Sequence, residues 1–265
     1  WQRGLLPITH AAITQAISLN GAAVETNKRA FEIGRWIALY PEQAEEIIQP
    51  KVINLPKSLE EKIKFRADHL RQYQSKRLAR RYIKMLSKIE DSELKEAVAL
   101  GYHKLLAYKD EYEVARLHKM TSAQVKNQFE TVKKIHFHLA PPLLSKTGPD
   151  GRPQKRKFGP GMLRGFKILA SMKLLRGTPF DIFGYSEERK IERGLIRQYE
   201  QDLKRILTLY TAVTKPAIIE LAMLPLSIKG FGPVKLENYK KASAKRKSLL
   251  ASIDETTLGL TQAAE

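Results

Sequence analysis

Along nearly the whole chain, apolar residues recur at intervals of three and four, the period of an α-helix, and strand-like alternation replaces that pattern in one place only. That place is Thr131–Leu139, where Ile135, Phe137 and Leu139 alternate with polar residues. Gly148-Pro149-Asp150-Gly151 then supplies a turn, and Gln154–Phe158 can return as the partner strand. The sequence therefore predicts a mainly α fold, a multi-helix domain with one small antiparallel β-hairpin near residues 132–158.

Start and stop signals divide the helical part. A first helix runs from about Thr9 to Asn20-Gly21, and a second from Ala22 to Leu39. A polar connection with Pro50 and Pro56 is the best boundary, giving expected domains at 1–48 and 57–255. Ser58 and Glu61 form a capping box that opens a long helix to about Ile89, with ten basic residues from Lys62 to Lys88. Asp91-Ser92 starts a helix to Tyr108, Asp110–His118 continues or restarts it, and Thr121-Ser122 caps a short further one. Helices are also expected over Pro160–Leu175, from Ser186 to Tyr210 and from Thr214. A final basic helix should run to Ile253, with a frayed tail after Asp254.

Of the 265 residues, 43% are apolar, enough for a core, and the formal net charge is +19. Such a balance implies an acidic partner: nucleic acid, an anionic cofactor, an acidic protein or an acidic neighbouring domain. No apolar run is long enough to cross a bilayer, and no signal peptide is visible. The absence of cysteine excludes disulfides, thiolate zinc sites and thiolate-held iron–sulfur clusters, and it is compatible with a cytoplasmic protein. An opening Trp1 suggests a segment of a longer polypeptide.

The densest positive stretch is Gly151–Phe180, which contains no Asp or Glu. Lys155, Arg156, Lys157, Arg164, Lys167 and Arg176 are expected to gather around the hairpin and the helix after Gly159 as a docking surface for a partner or anion. Gly159-Pro160-Gly161 lacks a phosphate-loop pattern, so it reads either as a presenter of free amides at a helix start or as a tight turn. His136 and His138 share a strand face without a nearby acid to complete a metal site. Asp110, Glu111 and Glu113 read as helix-start carboxylates, with Glu113–Arg116 an ordinary surface pair. Neither catalytic nor metal-ligating residues are assigned.

Several strings are more specific than these patterns. YKDEYEVARL (108–117), FHLAPPLL (137–144), FGPGMLR (158–164), RGTPFDIFGY (176–185) and GFGPVK (230–235) resemble the C-terminal region of fused bacterial indolepyruvate ferredoxin oxidoreductases. Gly4–Arg35 resembles the closing helices of the gamma-type domain of 2-oxoacid:ferredoxin oxidoreductases, matching at Val24-Glu25 and Asn27–Phe31. The resemblance covers nearly all of residues 1–250. One departure is Pro233, where the family carries His.

The resemblance implies oxidative decarboxylation of an aryl pyruvate on thiamine diphosphate with Mg, transfer of the acyl group to coenzyme A, and electron flow through a [4Fe-4S] centre to ferredoxin. It places those cofactors upstream, none within this segment, and implies a non-catalytic accessory region in a homo-oligomer. The implied partners are the upstream domains and ferredoxin, with coenzyme A a substrate of the parent enzyme. A basic nucleic-acid-binding protein is the alternative. Against it, the charge is spread over several helices and no helix-turn-helix, finger or RNA-sheet motif is present.

Overall fold

The computed structural model describes residues 1–48, 56, 58–128, 134–139, 154, 156–230 and 232–262, and these form two compact units, Trp1–Leu55 and Pro56–Glu265. The fold is mainly α with one two-stranded antiparallel sheet, as expected.

In the first unit, Thr9 caps α1 (His10–Asn20) by accepting from the Ala12 amide, and Gly21, at φ 70°, closes it in the left-handed region. Next come α2 (Val24–Leu39) and α3 (Pro41–Ile48); the latter was not expected from the sequence. Neither α1 nor α2 contains a buried residue. Ile13, Ile17, Phe31 and Trp36 are half-buried. What ties the pair together is polar and aromatic. His10 lies 2.6 Å from Glu32, Arg35 bridges Glu32 and Gln2, and Trp1 packs on Phe31.

The second unit opens with the expected capping box, in which Ser58 accepts from the Glu61 amide and Glu61 accepts from the Ser58 amide. The single long helix expected here is two. α4 (Leu59–Tyr73) stops at Gln74, and α5 (Lys76–Leu86) restarts because Ser75 is extended and caps the Leu78 amide. Splitting the helix lets both pieces cover α6 (Ser92–Leu106). The next helix, α7 (Glu111–Gln128), is continuous. Ser122 donates to the His118 carbonyl inside it instead of starting a new helix.

After α7 come β1 (Phe137–Leu139) and β2 (Arg156–Phe158), paired with Phe137 opposite Phe158 and His138 opposite Lys157. The intervening Gly148–Gly151 turn lies outside the described residues. α8 (Met162–Ser171) ends in a 3-10 turn, and α9 (Glu187–Ile206), α10 (Lys215–Met223) and α11 (Gly232–Gln262) complete the unit. α11 runs past the expected stop near Ile253 and Asp254. Ile253 is buried and Asp254 ion-pairs with Arg205, so the helix is still held against the core where it was expected to end.

The main core lies between α4, α5, α6, α9, α10 and α11. Tyr82, Tyr102 and Tyr199 stack through it with ring centroids 6.0 and 5.9 Å apart, and their hydroxyls bond to Ala99 O, Glu200 and Ala222 O. The tyrosines spread along these helices are therefore core. A smaller cluster joins Ala115 of α7, Phe137 of β1, and Phe166 and Ala170 of α8. No described helix is long and apolar enough to cross a membrane.

Candidate functional site

The strings YKDEYEVARL and RGTPFDIFGY, whose Asp110 and Arg176 lie 66 residues apart, meet in one buried polar network. Asp110 organises it. Its Oδ1 accepts from the Glu113 amide at 2.9 Å, capping α7. The same carboxylate takes both edges of the Arg176 guanidinium: Nη2 donates to Oδ1 at 2.8 Å and Nε donates to Oδ2. Arg176 Nη1 donates to the Tyr73 carbonyl at 2.9 Å, and the guanidinium lies 3.7 Å from the Tyr73 ring centre. Both ions are 3% exposed, so only such complete pairing offsets their desolvation.

A second carboxylate fixes the loop that follows. Asp181 accepts from the Tyr112 hydroxyl at 3.1 Å and from the Gly177 amide at 2.8 Å. Arg193 donates to the Gly184 carbonyl at 2.6 Å, and a Cβ on Gly184 would lie 2.7 Å from Asp181 Oδ2. On the α9 side, Arg189 sits near Glu111 and Glu192, and Lys235 pairs with Glu192. Burial raises the Tyr73 and Tyr112 hydroxyls well above their ordinary value and pushes Tyr108 up to about 12.

Beside this network, Arg116 clasps Glu113 in a bidentate pair at 2.8 and 2.7 Å. Glu113 is buried, so this is an interior pair and corrects the surface reading. His69 Nε2 lies 3.9 Å from Glu113, and His69 Nδ1 faces His103 Nε2 at 3.0 Å. Burial, then the neighbouring His69 and Arg66, push His103 down to about 4, and burial also lowers His69. The pair is thus neutral at pH 7, one ring donating to the other. Among the described residues no group of three His, Asp or Glu could hold a metal ion.

The expected basic patch divides. Arg156 and Lys157 on β2 and Arg164 and Lys167 on α8 are exposed, on elements that share the small core. Lys155 lies outside the described residues. Arg176 does not belong to that surface at all; it is the buried partner of Asp110. Gly159, Pro160 and Gly161 form the turn that leads into α8. Gly159 O, Pro160 O and Gly161 O accept from the Met162, Leu163 and Arg164 amides, so those amides are occupied. His136 and His138 are both solvent-exposed. Tyr73 and Arg189 went unrecognised in the sequence. The one available signal was Asp181, the only acid between Phe158 and Tyr185, whose partners are the Tyr112 hydroxyl and the Gly177 amide.

The sequence pattern of a family of unknown function, DUF6537, matches residues 59–248. The chain belongs to that family. No curated protein and no solved structure matches it. The matched span of this DUF6537 chain contains every residue of the buried network and the exposed Arg156, Lys157, Arg164 and Lys167, and it leaves out α1, α2 and α3.

Proposed function

We propose that this DUF6537 chain is a non-catalytic accessory region of a thiamine-diphosphate-dependent indolepyruvate (aryl pyruvate) ferredoxin oxidoreductase, cytoplasmic and homo-oligomeric. Its work there is interdomain packing first and ferredoxin docking second. One observation carries the reading. Two of the longest strings that resemble those oxidoreductases, YKDEYEVARL and RGTPFDIFGY, supply the two sides of one buried network, Asp110–Arg176 and Tyr112–Asp181. Residues committed to each other in the interior hold a shape; a general acid or base must reach its substrate.

A scaffold of this kind supports a division of labour in which decarboxylation, acyl transfer and electron transfer belong to other domains. The exposed Arg156, Lys157, Arg164 and Lys167 suit an acidic neighbouring domain, or an acidic ferredoxin whose encounter they would speed. The phosphates of coenzyme A are a third fit.

The test uses the whole polypeptide that carries this chain, given indolepyruvate, thiamine diphosphate, Mg, coenzyme A and either ferredoxin or a dye acceptor. Reversing charge at Arg156 and Lys157 should leave dye reduction intact and slow ferredoxin reduction in a salt-sensitive way if the surface steers ferredoxin. An unchanged ferredoxin rate across ionic strengths assigns the surface to packing. A whole polypeptide unable to bind thiamine diphosphate or to oxidise any 2-oxo acid overturns the assignment.

A further inference from the structure

The loop after Arg176 is held far more firmly than an ordinary surface loop. Arg176 anchors its start on Asp110, Asp181 anchors its middle on Tyr112 and on the Gly177 amide, and Arg193 anchors Gly184. Tyr185 also donates back to the Pro179 carbonyl at 2.6 Å. Phe183 packs inward on the Tyr112 ring, yet three other apolar side chains of the loop point outward: Phe180 is 75% exposed, Ile182 61% and Tyr185 64%. Buried ion pairs add little net stability, so a loop serving only its own domain would gain more by turning those side chains inward. Fixing them outward instead removes the ordering cost of a later contact.

A second observation adjoins the first. The segment packs on the end of α4, where Gln74 donates to the Arg176 carbonyl at 3.4 Å and Lys173 donates to the Gln72 carbonyl at 2.6 Å. From Gln74 and Ser75 an open concavity runs along α5, lined by Arg77, Arg80, Arg81 and Lys84. Arg81 is bound by Glu200 through two hydrogen bonds, at 2.7 and 2.8 Å. Arg77, Arg80 and Lys84 fall at i, i+3 and i+7 on one face; they are exposed and make no ion pair among the described residues, and α5 contains no acid.

We infer that Phe180, Ile182 and Tyr185, together with Arg77, Arg80 and Lys84, form a docking surface for an acidic protein segment. Its apolar side chains seat on the loop and its carboxylates face α5. Apolar anchors beside arginines are the composition of an energetically dominant protein contact. A single-stranded nucleic acid calls for aromatic platforms interleaved with cations along the strand. Here the cations are segregated on one helix, and an isoleucine, which cannot stack, stands between the two aromatic side chains. The inference rests on burial and charge alone and stands or falls apart from the oxidoreductase reading.

The experiment titrates the whole chain with three labelled probes: a synthetic peptide of Glu interspersed with Leu and Phe, an all-Glu peptide of equal charge, and a single-stranded RNA oligonucleotide. The mixed peptide should bind at least about tenfold more tightly than the all-Glu peptide. Combining Phe180→Ala with Ile182→Ala should remove that advantage and leave all-Glu binding unchanged. Combining Arg77→Glu with Arg80→Glu should weaken both peptides, and added salt should do the same. All four side chains are exposed, and an unchanged thermal melt verifies that the variants fold. Equal affinity for the two peptides overturns the inference, as does a mixed-peptide affinity indifferent to Phe180 and Ile182. RNA binding tighter than either peptide, or a chain dimer that dissolves in the Phe180 and Ile182 variant, would assign the surface to another occupant.

Discussion

Residues Trp1–Leu55 and Pro56–Glu265 carry the same helical periodicity, and they do opposite things with it. In the larger unit, the apolar faces of α4, α5, α6, α9, α10 and α11 meet, and Tyr73, Tyr82, Tyr102 and Tyr112 lose all contact with solvent. In the smaller one, α1 and α2 bury nothing; Leu19, Ile33 and Leu39 are exposed, and His10, Glu32, Arg35 and Trp1 supply the ties. An amphipathic stripe states that a helix has a face to cover. Whether the chain covers it depends on other elements, and no property of the stripe reports that.

The comparison breaks most sharply at the ion pairs. Arg176→Ala should cost about 3–5 kcal/mol, because it leaves Asp110 buried and unpaired. Arg35→Ala in the smaller unit removes a pair with the half-exposed Glu32, a bond to Gln2 and a contact with the Trp1 ring, and should cost much less than that. Urea denaturation of both variants measures the contrast. Similar losses would mean that the two units do not differ in the way their burial says. Arg176 also shows what a local pattern cannot carry: a basic residue in an acid-free stretch suggests a surface position, and its buried partner is 66 residues away.

Local features were legible for the opposite reason. Thr9 and Gly21 around α1, the Ser58–Glu61 box and the Ser186 cap of α9 each act within one turn, so neighbouring residues suffice to place them. The hairpin was legible from alternation, although its described strands are shorter than expected. The break at Ser75 was not, although its cap also acts within one turn, because apolar residues at helical spacing continue through it; nor was the extension of α11 to Gln262. Of the candidate surface, the exposed cations could be read from composition. The buried network could not, since nothing in a charge count separates a solvated arginine from one sealed against a tyrosine ring.

A smaller loss is expected at the contact of α6 with α10. Gly101 has no room for a side chain; a Cβ there would lie 2.1 Å from the Ala222 carbonyl oxygen and 2.9 Å from the Tyr199 hydroxyl. Gly101→Ala must push the helices apart and should cost roughly 1–3 kcal/mol. Gly34→Ala on α2 meets no atom within 4 Å, and it should be neutral or slightly stabilising, as alanine favours helix. Equal melting temperatures for the two variants would show that α6 and α10 do not approach so closely in solution.

The His69–His103 pair adds a pH dependence that belongs to the larger unit. His103 titrates near 4 in the folded chain and near 6.5 when unfolded, so between those values the unfolded state holds more protons. Stability should therefore be complete above about pH 6.5 and fall as the pH drops toward 4. His103→Gln should flatten that part of the profile. A melting temperature whose slope between pH 6.5 and 4 is the same with and without His103 would remove the pair from the account.

The smallest effects should come from the faces that α1 and α2 leave open. Leu19→Ser and Ile33→Ser remove side chains that are 79% and 51% exposed, so neither opens a cavity, and each should move stability by less than about 0.5 kcal/mol. The same change at Leu203, buried in α9, should cost several times more, since it removes packed contacts and leaves a void. A loss above about 1 kcal/mol at Leu19 or Ile33 would mean that something covers those faces in solution. Dilution then identifies the cover. A second copy of the chain would make the loss shrink as protein concentration falls, because association stabilises by mass action; a contact within one chain would leave it unchanged.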